Sequence, residues 1–239
     1  MDNLKKVGEG KSKNIYCEKN SNDFLYLEFK GDVRCSKYAV AYDKKVADLR
    51  AKTSYYIFQY LSSVLPNIAY TEMVDSNVIK IQNCEPISLE WIPRFVAAGS
   101  VVKRFGFSHG YRFKNPVLKI DYKTAEDDYL INDDLIVEKN LLTYDELVQA
   151  KALSINVAEQ LKQLFNNKGL DLWDFKLELG KTADGNIILI DEISFDGMRL
   201  KDKNTGESFD KDVYRETGDI VLVTNAYEKG FSKIFGDKI

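Results

Sequence analysis

The stretch that decides the fold reads Leu172-Trp-Asp-Phe-Lys-Leu-Glu-Leu-Gly180 and, after a turn, Ile187-Ile-Leu-Ile-Asp-Glu-Ile-Ser-Phe-Asp-Gly-Met-Arg199. Alternating residues on both sides of Asp184-Gly185-Asn186 predict two antiparallel strands joined by a hairpin turn. The second strand, Ile187–Ile190, is apolar on both faces, which is typical of a buried strand.

Charged side chains gather on one face of this predicted hairpin. Asp174, Lys176 and Glu178 alternate along the first strand and therefore share a face. Asp191 follows directly after the second strand. Crowded carboxylates repel one another unless a cation joins them, and Mg2+ carried by a nucleotide would serve. The pattern indicates either such a site or a solvated strand face with ordinary ion pairs.

The composition is typical of a soluble globular protein. The chain has 239 residues, of which 44% are hydrophobic and 30% charged, enough for one large domain or two lobes around a cleft. A net charge of −3 gives no support for nucleic acid as the main partner. No apolar run reaches the roughly 20 residues of a membrane span. Because residues 1–6 lack the apolar core of a signal peptide, we expect a cytoplasmic protein.

The counts of histidine and cysteine limit the chemistry. His109 is the only histidine, which excludes zinc sites built on several histidines and most acid–base schemes that use histidine. The cysteines Cys17, Cys35 and Cys84 are widely spaced and fit reduced thiols better than disulfides or a metal cluster. Any reaction must therefore use Asp, Glu, Lys, Arg and a bound cofactor.

A glycine-rich turn lies within an antiparallel meander predicted over residues 4–30. Gly8 and Gly10 precede Lys11 and Lys13. Glycine lets backbone N–H groups approach an anion and lysine adds positive charge, so the turn is a candidate phosphate-binding loop. The alternative is a turn with no such role.

A second candidate anion site follows a strand predicted over Leu89–Val96. Arg94 near its end is followed by the small residues Ala97–Ser100, which open a helix carrying Lys103 and Arg104. Because helix N-termini favour negative charge, this segment indicates an anion site, or alternatively a tightly packed turn beside a basic helix face.

The remaining periodicity predicts the other helices and strands. A capping box at Thr143–Glu146 opens a long helix that ends near Asn166. The other expected elements are a helix over 42–65, strands over 70–74, 78–82 and 117–122, a linker at 85–88, an acidic loop over 127–134 and a closing helix over 219–235.

Five blocks of the sequence resemble those of the SAICAR synthetase family, in the same order and over nearly the full length. They are Glu9–Tyr16, Arg94–Arg104, Asp174–Gly180, Asp191–Arg199 and Asp210–Arg215. Five blocks at the right distances form a specific signal, which any one of them alone would not.

The resemblance implies an α+β fold of two lobes, ATP-grasp-like or kinase-like, with ATP in the cleft. A nucleotide-binding lobe with an antiparallel sheet would span residues 1–85. A larger α+β lobe that binds substrate and metal would span residues 86–239. The resemblance also implies a homo-oligomer that acts on a small-molecule acid and amine, without nucleic acid or membrane.

The activity that the resemblance implies is an ATP-dependent ligase that forms an amide from carboxyaminoimidazole ribonucleotide and aspartate. ATP would activate the carboxylate as an acyl phosphate, a step that needs mainly positioning and charge neutralisation. Lys11 and Lys13 would hold the ATP phosphates, and Lys176 would approach the nucleotide or the transferred phosphoryl group. Glu178 and Asp191 would bind Mg2+.

The resemblance also implies a site for the acidic substrate. Arg94, Ser100 and Arg199 would hold it, since arginine makes a forked contact with phosphate or carboxylate. Asp196 and Arg215 lie in the same matching blocks and are assigned to this site with them. The residues expected to act in catalysis are Lys176, Asp191 and Arg199.

The sequence departs from the family pattern where the substrates should bind. The stretch Val33–Lys52 lacks the glycine and the asparagine pair that usually precede the first long helix. Phe95 stands for an asparagine, Leu135 for a common histidine, Phe195 for a proline and Lys201 for an aromatic residue. Because the ATP and metal blocks are retained, we expect a working ligase.

Three alternatives remain open. The first is a paralogue that joins a different acid and amine, for instance in a specialised-metabolite or surface-sugar pathway. The second is a non-catalytic nucleotide-binding module. The third, a kinase-like phosphotransferase, is disfavoured because the chain has no His-Arg-Asp loop and no Asp-Phe-Gly signature.

Overall fold

The N-terminal part of the protein is a five-stranded antiparallel sheet in the computed structural model, which describes residues 3–124 and 126–236. Its strands lie in the order β1-β2-β3-β7-β6, and a separate ribbon pairs β4 with β5. In chain order the strands are β1 (Leu4–Glu9), β2 (Lys13–Glu18), β3 (Ser21–Phe29), β4 (Asp32–Val33), β5 (Ala41–Tyr42), β6 (Thr71–Asp75) and β7 (Val78–Gln82). The predicted meander is thereby confirmed.

Helix α1 (Lys44–Val64) crosses this sheet between β5 and β6. Asp43 caps it by accepting a hydrogen bond from the Lys45 backbone N–H, which satisfies one of the free donors of the first turn. The helix ends before Leu65, which is extended because a proline follows it. Its buried face packs on β3 and β6.

A seven-stranded antiparallel sheet forms the rest of the scaffold. Its main path runs β10-β9-β8-β11-β14, and β12 pairs with both β8 and β13. The strands are β8 (Glu85–Val96), β9 (Arg112–Lys123), β10 (Asp128–Leu130), β11 (Leu170–Phe175), β12 (Leu177–Lys181), β13 (Ile187–Ile190) and β14 (Met198–Asp202).

Two predictions about these strands need correction. The first strand of the predicted hairpin is broken at Lys176 into β11 and β12, and the Lys176 N–H donates instead to the Gly197 carbonyl at 2.9 Å. The hairpin β12–β13 and its turn are as predicted. The linker predicted at 85–88 is wrong, because these residues begin β8 and Glu85 pairs with Lys181. The division into lobes 1–85 and 86–239 stays a prediction.

The helices cover the sheets and complete the α+β fold. Thr143 and Glu146 form the predicted capping box at the start of helix α4 (Tyr144–Asn166), whose apolar face packs on β11 and β13. A single 3-10 turn spans Phe195–Gly197. No helix in the described part of the chain is long and apolar enough to cross a membrane. The helices after α1 are α2 (Ser100–Phe105), α3 (Asp133–Glu138), α4 (Tyr144–Asn166), α5 (Asp212–Thr217) and α6 (Ile220–Phe235).

The segment between β4 and β5 is fastened to α5. The Tyr38 hydroxyl donates to the Glu216 carbonyl at 3.1 Å, and the Tyr214 hydroxyl donates to the Ala39 carbonyl at 2.6 Å. Gly218 ends α5 with φ of 69°, and a side chain there would lie 2.8 Å from the Tyr38 ring. The short stretch that departs from the family pattern is therefore packed against the helix that carries Arg215.

Candidate active site

A cleft of about 590 Å³ lies between the glycine turn and the acidic ends of β12 and β13. The side chains of β2, β3 and β7 give it an apolar wall that includes Ile15, Leu27 and Ile81. The opposite wall is charged. The predicted site residues that line this one cavity are Lys11, Lys13, Lys176, Glu178 and Asp191.

Lys13 joins the two walls. Its ammonium nitrogen Nζ lies 2.9 Å from the Asp191 carboxylate and 2.7 Å from Glu192 Oε1. Burial alone would lower the pKa of this ammonium, but the two carboxylates outweigh that effect and raise it. The lysine is therefore a permanent positive charge tied to the acidic wall.

The backbone at Asp191 explains how two successive residues reach the same ammonium. Neighbouring side chains of an extended strand point to opposite faces. Asp191 instead adopts a left-handed conformation, with φ of 67°, directly after β13. This conformation is uncommon for a residue with a side chain, although aspartate and asparagine tolerate it best. It turns the chain so that Asp191 and Glu192 both contact Lys13.

The two carboxyl groups differ in their acidity. Burial raises the pKa of Asp191, and the nearby Glu178 and Glu192 carboxylates add to this effect against the opposing charge of Lys13. Burial also raises the pKa of Glu192, but its ion pair with Lys13, together with Lys176 and Arg50, lowers it to about 2. Glu192 is thus firmly ionised, whereas Asp191 carries its charge at a cost.

Lys176 and Glu178 lie on the charged wall of the cleft. Glu178 Oε1 lies 2.6 Å from Lys123 Nζ, and Lys176 Nζ lies 3.4 Å from Glu90 Oε2. Burial lowers the pKa of Lys176, but the surrounding carboxylates, with Glu90 first among them, raise it overall. Glu178 pairs with Glu90 across β12 and β8, and Lys176 lines the same cavity. Asp174, the third member of the predicted charged face, pairs with Arg94 and does not line it.

The residues present fit a magnesium ion that arrives with a nucleotide. In the described part of the chain, no group of three or more His, Cys, Asp or Glu side chains is arranged to hold a metal by itself. Glu178 and Asp191 nevertheless line the same cavity and are close enough for Glu178 to raise the pKa of Asp191. One or two carboxylates completed by phosphate oxygens and water form the usual environment of Mg2+ in proteins.

A second charged cluster lies further along the same sheet face. Asp174 accepts from Arg94 Nη1 at 2.5 Å and from Arg199 Nη1 at 2.9 Å. Arg199 Nε donates to Asp212 at 2.9 Å, and Asp212 also pairs with Arg215. The ion pairs of this cluster bring together three arginines and two carboxylates, Asp174 and Asp212.

Ser100 joins this cluster through the turn before α2. It is the first residue of α2 and follows Gly99, whose φ is 60°. A side chain at position 99 would lie 2.9 Å from Arg199 Nη2, so the turn needs a glycine both for its backbone and for the approach of Arg199. The cavity lining contains none of Arg94, Ser100, Arg199 and Arg215, all four of which are described residues.

Asp196 serves a different set of contacts. It pairs with the buried Arg50 and accepts from Lys211 Nζ at 2.9 Å and from the Tyr227 hydroxyl at 3.3 Å. Burial raises its pKa, but Arg50 and Lys211 more than reverse this and hold the pKa well below its usual range. These contacts join α1, the 3-10 turn and α6, and a role for Asp196 in substrate binding stays a prediction.

Sequence reasoning missed several charged residues of the site. Glu90 and Lys123 line the cleft, and Glu192 lies directly behind it. Glu90 interrupts the apolar run Leu89–Ile92, and a charged residue within such a run was the available signal. The partners of Lys123 depend on strand register and had no local signal.

Most departures from the family pattern lie outside the cleft. Phe95 is buried beneath the Lys162 ammonium, which lies 4.3 Å from its ring centre, and Phe195 packs on Tyr227 with ring centres 5.4 Å apart. Lys201 lies over the Trp173 ring, and Leu135 is exposed. None of the four described departures just named lines the cavity.

Sequence comparisons point to one family. A family model described as SAICAR synthetase matches residues 6–234. The phosphoribosylaminoimidazole-succinocarboxamide synthase of Methanoculleus marisnigri is 38% identical over 214 residues, which cover 86% of this chain and 86% of the relative. The enzyme of the same name from Staphylococcus saprophyticus is 35% identical over 216 residues, 89% of this chain and 92% of the relative.

Solved structures agree in fold. The phosphoribosylaminoimidazole-succinocarboxamide synthase of Ehrlichia chaffeensis superposes with a TM-score of 0.91 at 29% identity, covering 98% of this chain and 100% of that one. A type-2 SAICAR synthetase in complex with ADP gives 0.90 at 33% identity, with 98% and 99% covered. A Saccharomyces cerevisiae SAICAR synthase shares the fold at 17% identity, with a TM-score of 0.81 and 99% and 96% covered.

Proposed function

Because this chain belongs to the SAICAR synthetase family of ATP-dependent carbon–nitrogen ligases, we propose that it joins carboxyaminoimidazole ribonucleotide to aspartate and hydrolyses ATP to ADP and phosphate in doing so. The observation that supports this most is the shared cavity, in which the lysines of the glycine turn face Lys176, Glu178 and Asp191. A relative of 33% identity has been solved with ADP, which supports nucleotide binding here.

The cleft residues are suited to phosphoryl transfer to a carboxylate. Lys11 and Lys13 place positive charge on the glycine-turn side of the cavity, where the phosphates would lie, and Lys176 would approach the transferred group from the facing wall. Glu178 and Asp191 would hold Mg2+, which when bound neutralises phosphate charge and orients the phosphates. The apolar wall beside the glycine turn would receive the adenine base.

In the proposed reaction, a substrate carboxylate oxygen bonds to the γ-phosphorus as the bond from that phosphorus to ADP breaks. The aspartate amine then attacks the acyl carbon, phosphate leaves and the nitrogen loses a proton. Holding the reacting groups together and neutralising their charge supplies most of the rate enhancement in such transfers.

The arginine cluster is suited to the anionic substrate. Arg94 and Arg199 both donate to Asp174, and two neighbouring guanidinium groups offer the forked contacts that suit phosphate or carboxylate. Ser100 at the start of α2 would add a hydroxyl donor. We assign Arg215 and Asp196 to the same site. Arg215 pairs with Asp212 of the cluster, and Asp196 lies in the turn that precedes Arg199.

A second candidate is a paralogue that uses another acid or amine. Phe95 and Phe195 no longer support it strongly, since both are buried in the core. The observation that favours it is the short segment between β4 and β5, which packs on α5 near Arg215.

The experiment is a panel of acids and amines assayed for ADP and amide formation with ATP and Mg2+. We expect carboxyaminoimidazole ribonucleotide with aspartate to give the highest kcat/KM of any pair. A higher value with another pair would establish the paralogue. ADP binding without turnover on any pair would establish a non-catalytic module.

Two further properties are proposed from the family resemblance. We expect a homo-oligomer, and gel filtration coupled to light scattering would measure its mass. We also expect a cytoplasmic location, which fractionation of the native cells would test.

A further inference from the structure

Glu192 connects the two sheets without facing the cleft. Its Oε1 accepts from the Ser12 hydroxyl at 2.8 Å and from Lys13 Nζ at 2.7 Å, and its Oε2 accepts from the Ser194 hydroxyl at 2.9 Å. Ser12 and Lys13 belong to the glycine turn and the start of β2, 180 and 179 residues away in the chain. Both carboxylate oxygens are thus occupied by fixed donors.

The neighbouring Asp191 lines the cleft, and Glu192 does not. Asp191 and Lys13 line the cavity, whereas Glu192 is only 6% exposed and lies behind it. Lys13 therefore sits between a carboxylate that faces the cleft and one that does not. The left-handed turn at Asp191 makes this division possible.

The two carboxylates face different demands when a nucleotide binds. Under the proposed function, the Asp191 carboxylate would bind the metal that accompanies the nucleotide, which weakens its ion pair with Lys13. A buried ammonium that loses its partners is strongly unfavourable, so Lys13 needs a counter-charge that does not move. Glu192 is the carboxylate in contact with Lys13 that stays out of the cavity.

We propose that Glu192 is a positioning residue that holds the glycine turn against the acidic wall of the cleft, so that Lys13 keeps its place when Asp191 turns to a metal-bound nucleotide. Ser12 is the second point of attachment, since its hydroxyl donates to the same oxygen as Lys13. The expected effect on nucleotide binding rests on the proposed function. The contacts of Glu192 with Ser12 and Lys13 are present in the nucleotide-free protein, and the first measurement tests them there.

The first measurement is hydrogen–deuterium exchange of the amides of residues 10–13 in the nucleotide-free protein. Loss of a hydrogen bond to a charged group changes the equilibrium constant for local opening by about 10- to 100-fold. We expect Glu192→Gln to speed exchange of these amides by about 10-fold or more, with β12 unchanged. Ser12→Ala, which keeps the carboxylate, should produce a smaller change in the same direction.

The second measurement is the dissociation constant of ADP with Mg2+, by calorimetry. We expect Glu192→Gln to raise it by about 10-fold or more, with no change in the Mg2+ concentration that gives half-maximal binding. Glu18→Gln is the matched control, because Glu18 lies at the far end of β2 and accepts from the Tyr26 hydroxyl at 2.6 Å, away from the cleft. It should alter neither measurement.

Two results would overturn the proposal. Unchanged exchange of residues 10–13 in both Glu192→Gln and Ser12→Ala would show that the turn is not held by these contacts. Recovery of ADP affinity in Glu192→Gln at high Mg2+ would make Glu192 a metal ligand instead. If the unaltered protein fails to bind ADP, the proposed function fails, while the exchange comparison still decides the attachment. If Glu192→Gln does not fold, Ser12→Ala decides it alone.

Discussion

Replacing Asp191 by asparagine should abolish turnover and leave the fold intact. Asparagine suits the left-handed backbone at this position, where φ is 67°. Lys13 keeps its 2.7 Å contact with Glu192 and can still donate to the new amide oxygen. Asp191→Ala is a poorer test, since a left-handed alanine adds strain of about 1–2 kcal/mol.

The expected effect on stability follows from the raised pKa of Asp191. A carboxyl group with a higher pKa in the folded protein binds its proton more tightly there than in the unfolded chain. Its ionisation therefore lowers stability as pH rises from the ordinary pKa of 3.8 through the raised one. Asparagine removes this loss at neutral pH, so the unfolding temperature should stay level or rise by about 1–3 °C.

The expected effect on catalysis is large. The proposed metal site has two protein carboxylates, and metal-ion stabilisation of a transition state is worth several kcal/mol. Loss of about 3 kcal/mol corresponds to a rate reduction of about 100-fold. We therefore expect turnover at saturating ATP to fall by at least about 100-fold, with a higher Mg2+ requirement.

The assay is steady-state ADP release across a Mg2+ titration, with thermal unfolding followed in parallel. Asp184→Asn is the control, because Asp184 is exposed in the turn of the same hairpin. Turnover of Asp191→Asn within about twofold of the unaltered protein, at the same Mg2+ requirement, would refute the metal-ligand assignment.

Three further predictions follow from the site. Lys176→Ala should reduce turnover in steady-state assays by at least about 100-fold. The unfolding temperature should change little, since this side chain is 41% exposed. A normal rate would show that Lys176 has no catalytic role. Gly99→Ala should raise the KM of the acidic substrate by about 10-fold, because the added methyl group meets Arg199. The control is Gly106→Ala, where φ is 73° and the space is open, so that only backbone strain should appear, in urea unfolding. Equal KM values for the two variants would argue against the arginine site. Burial of Asp210 raises its pKa to about 7, so its contribution to the free energy of unfolding should fall by about 4 kcal/mol between pH 4 and 7. Urea unfolding of Asp210→Asn should lack this part of the pH dependence, and an identical pH dependence in both proteins would contradict it.

Local chemistry accounts for the parts of the fold that could be predicted. The capping box at Thr143, the hairpin turn at Gly185 and the apolar run of β13 each depend on a few neighbouring residues, and all three are confirmed. The meeting of the glycine turn with Asp191 could not come from local pattern. It was expected from the resemblance of ordered blocks, and the cavity contains both.

Long-range pairing accounts for the errors. Residues 85–88 look like a linker because they contain a proline, yet Pro86 pairs with Gly180 as part of β8. Alternation continues through Lys176, so nothing local shows that β11 and β12 separate there. Glu192 was overlooked as a site residue because alternation places it opposite Asp191, and only the left-handed backbone brings both to Lys13.

The attachment of the short segment at 34–40 to α5 has a consequence for how selectivity can diverge. This segment contacts the helix of Arg215 through Tyr38 and Tyr214, and none of its seven residues belongs to the cavity lining around Lys13 and Asp191. Under the proposed role of Arg215 in substrate binding, insertions, deletions or replacements there would alter the surroundings of one reactant and leave the residues that line the cavity unchanged. A lineage could thus exchange its acid or amine by grafting a single surface loop, and chimaeras that swap this loop between relatives offer a route to ligases of altered selectivity.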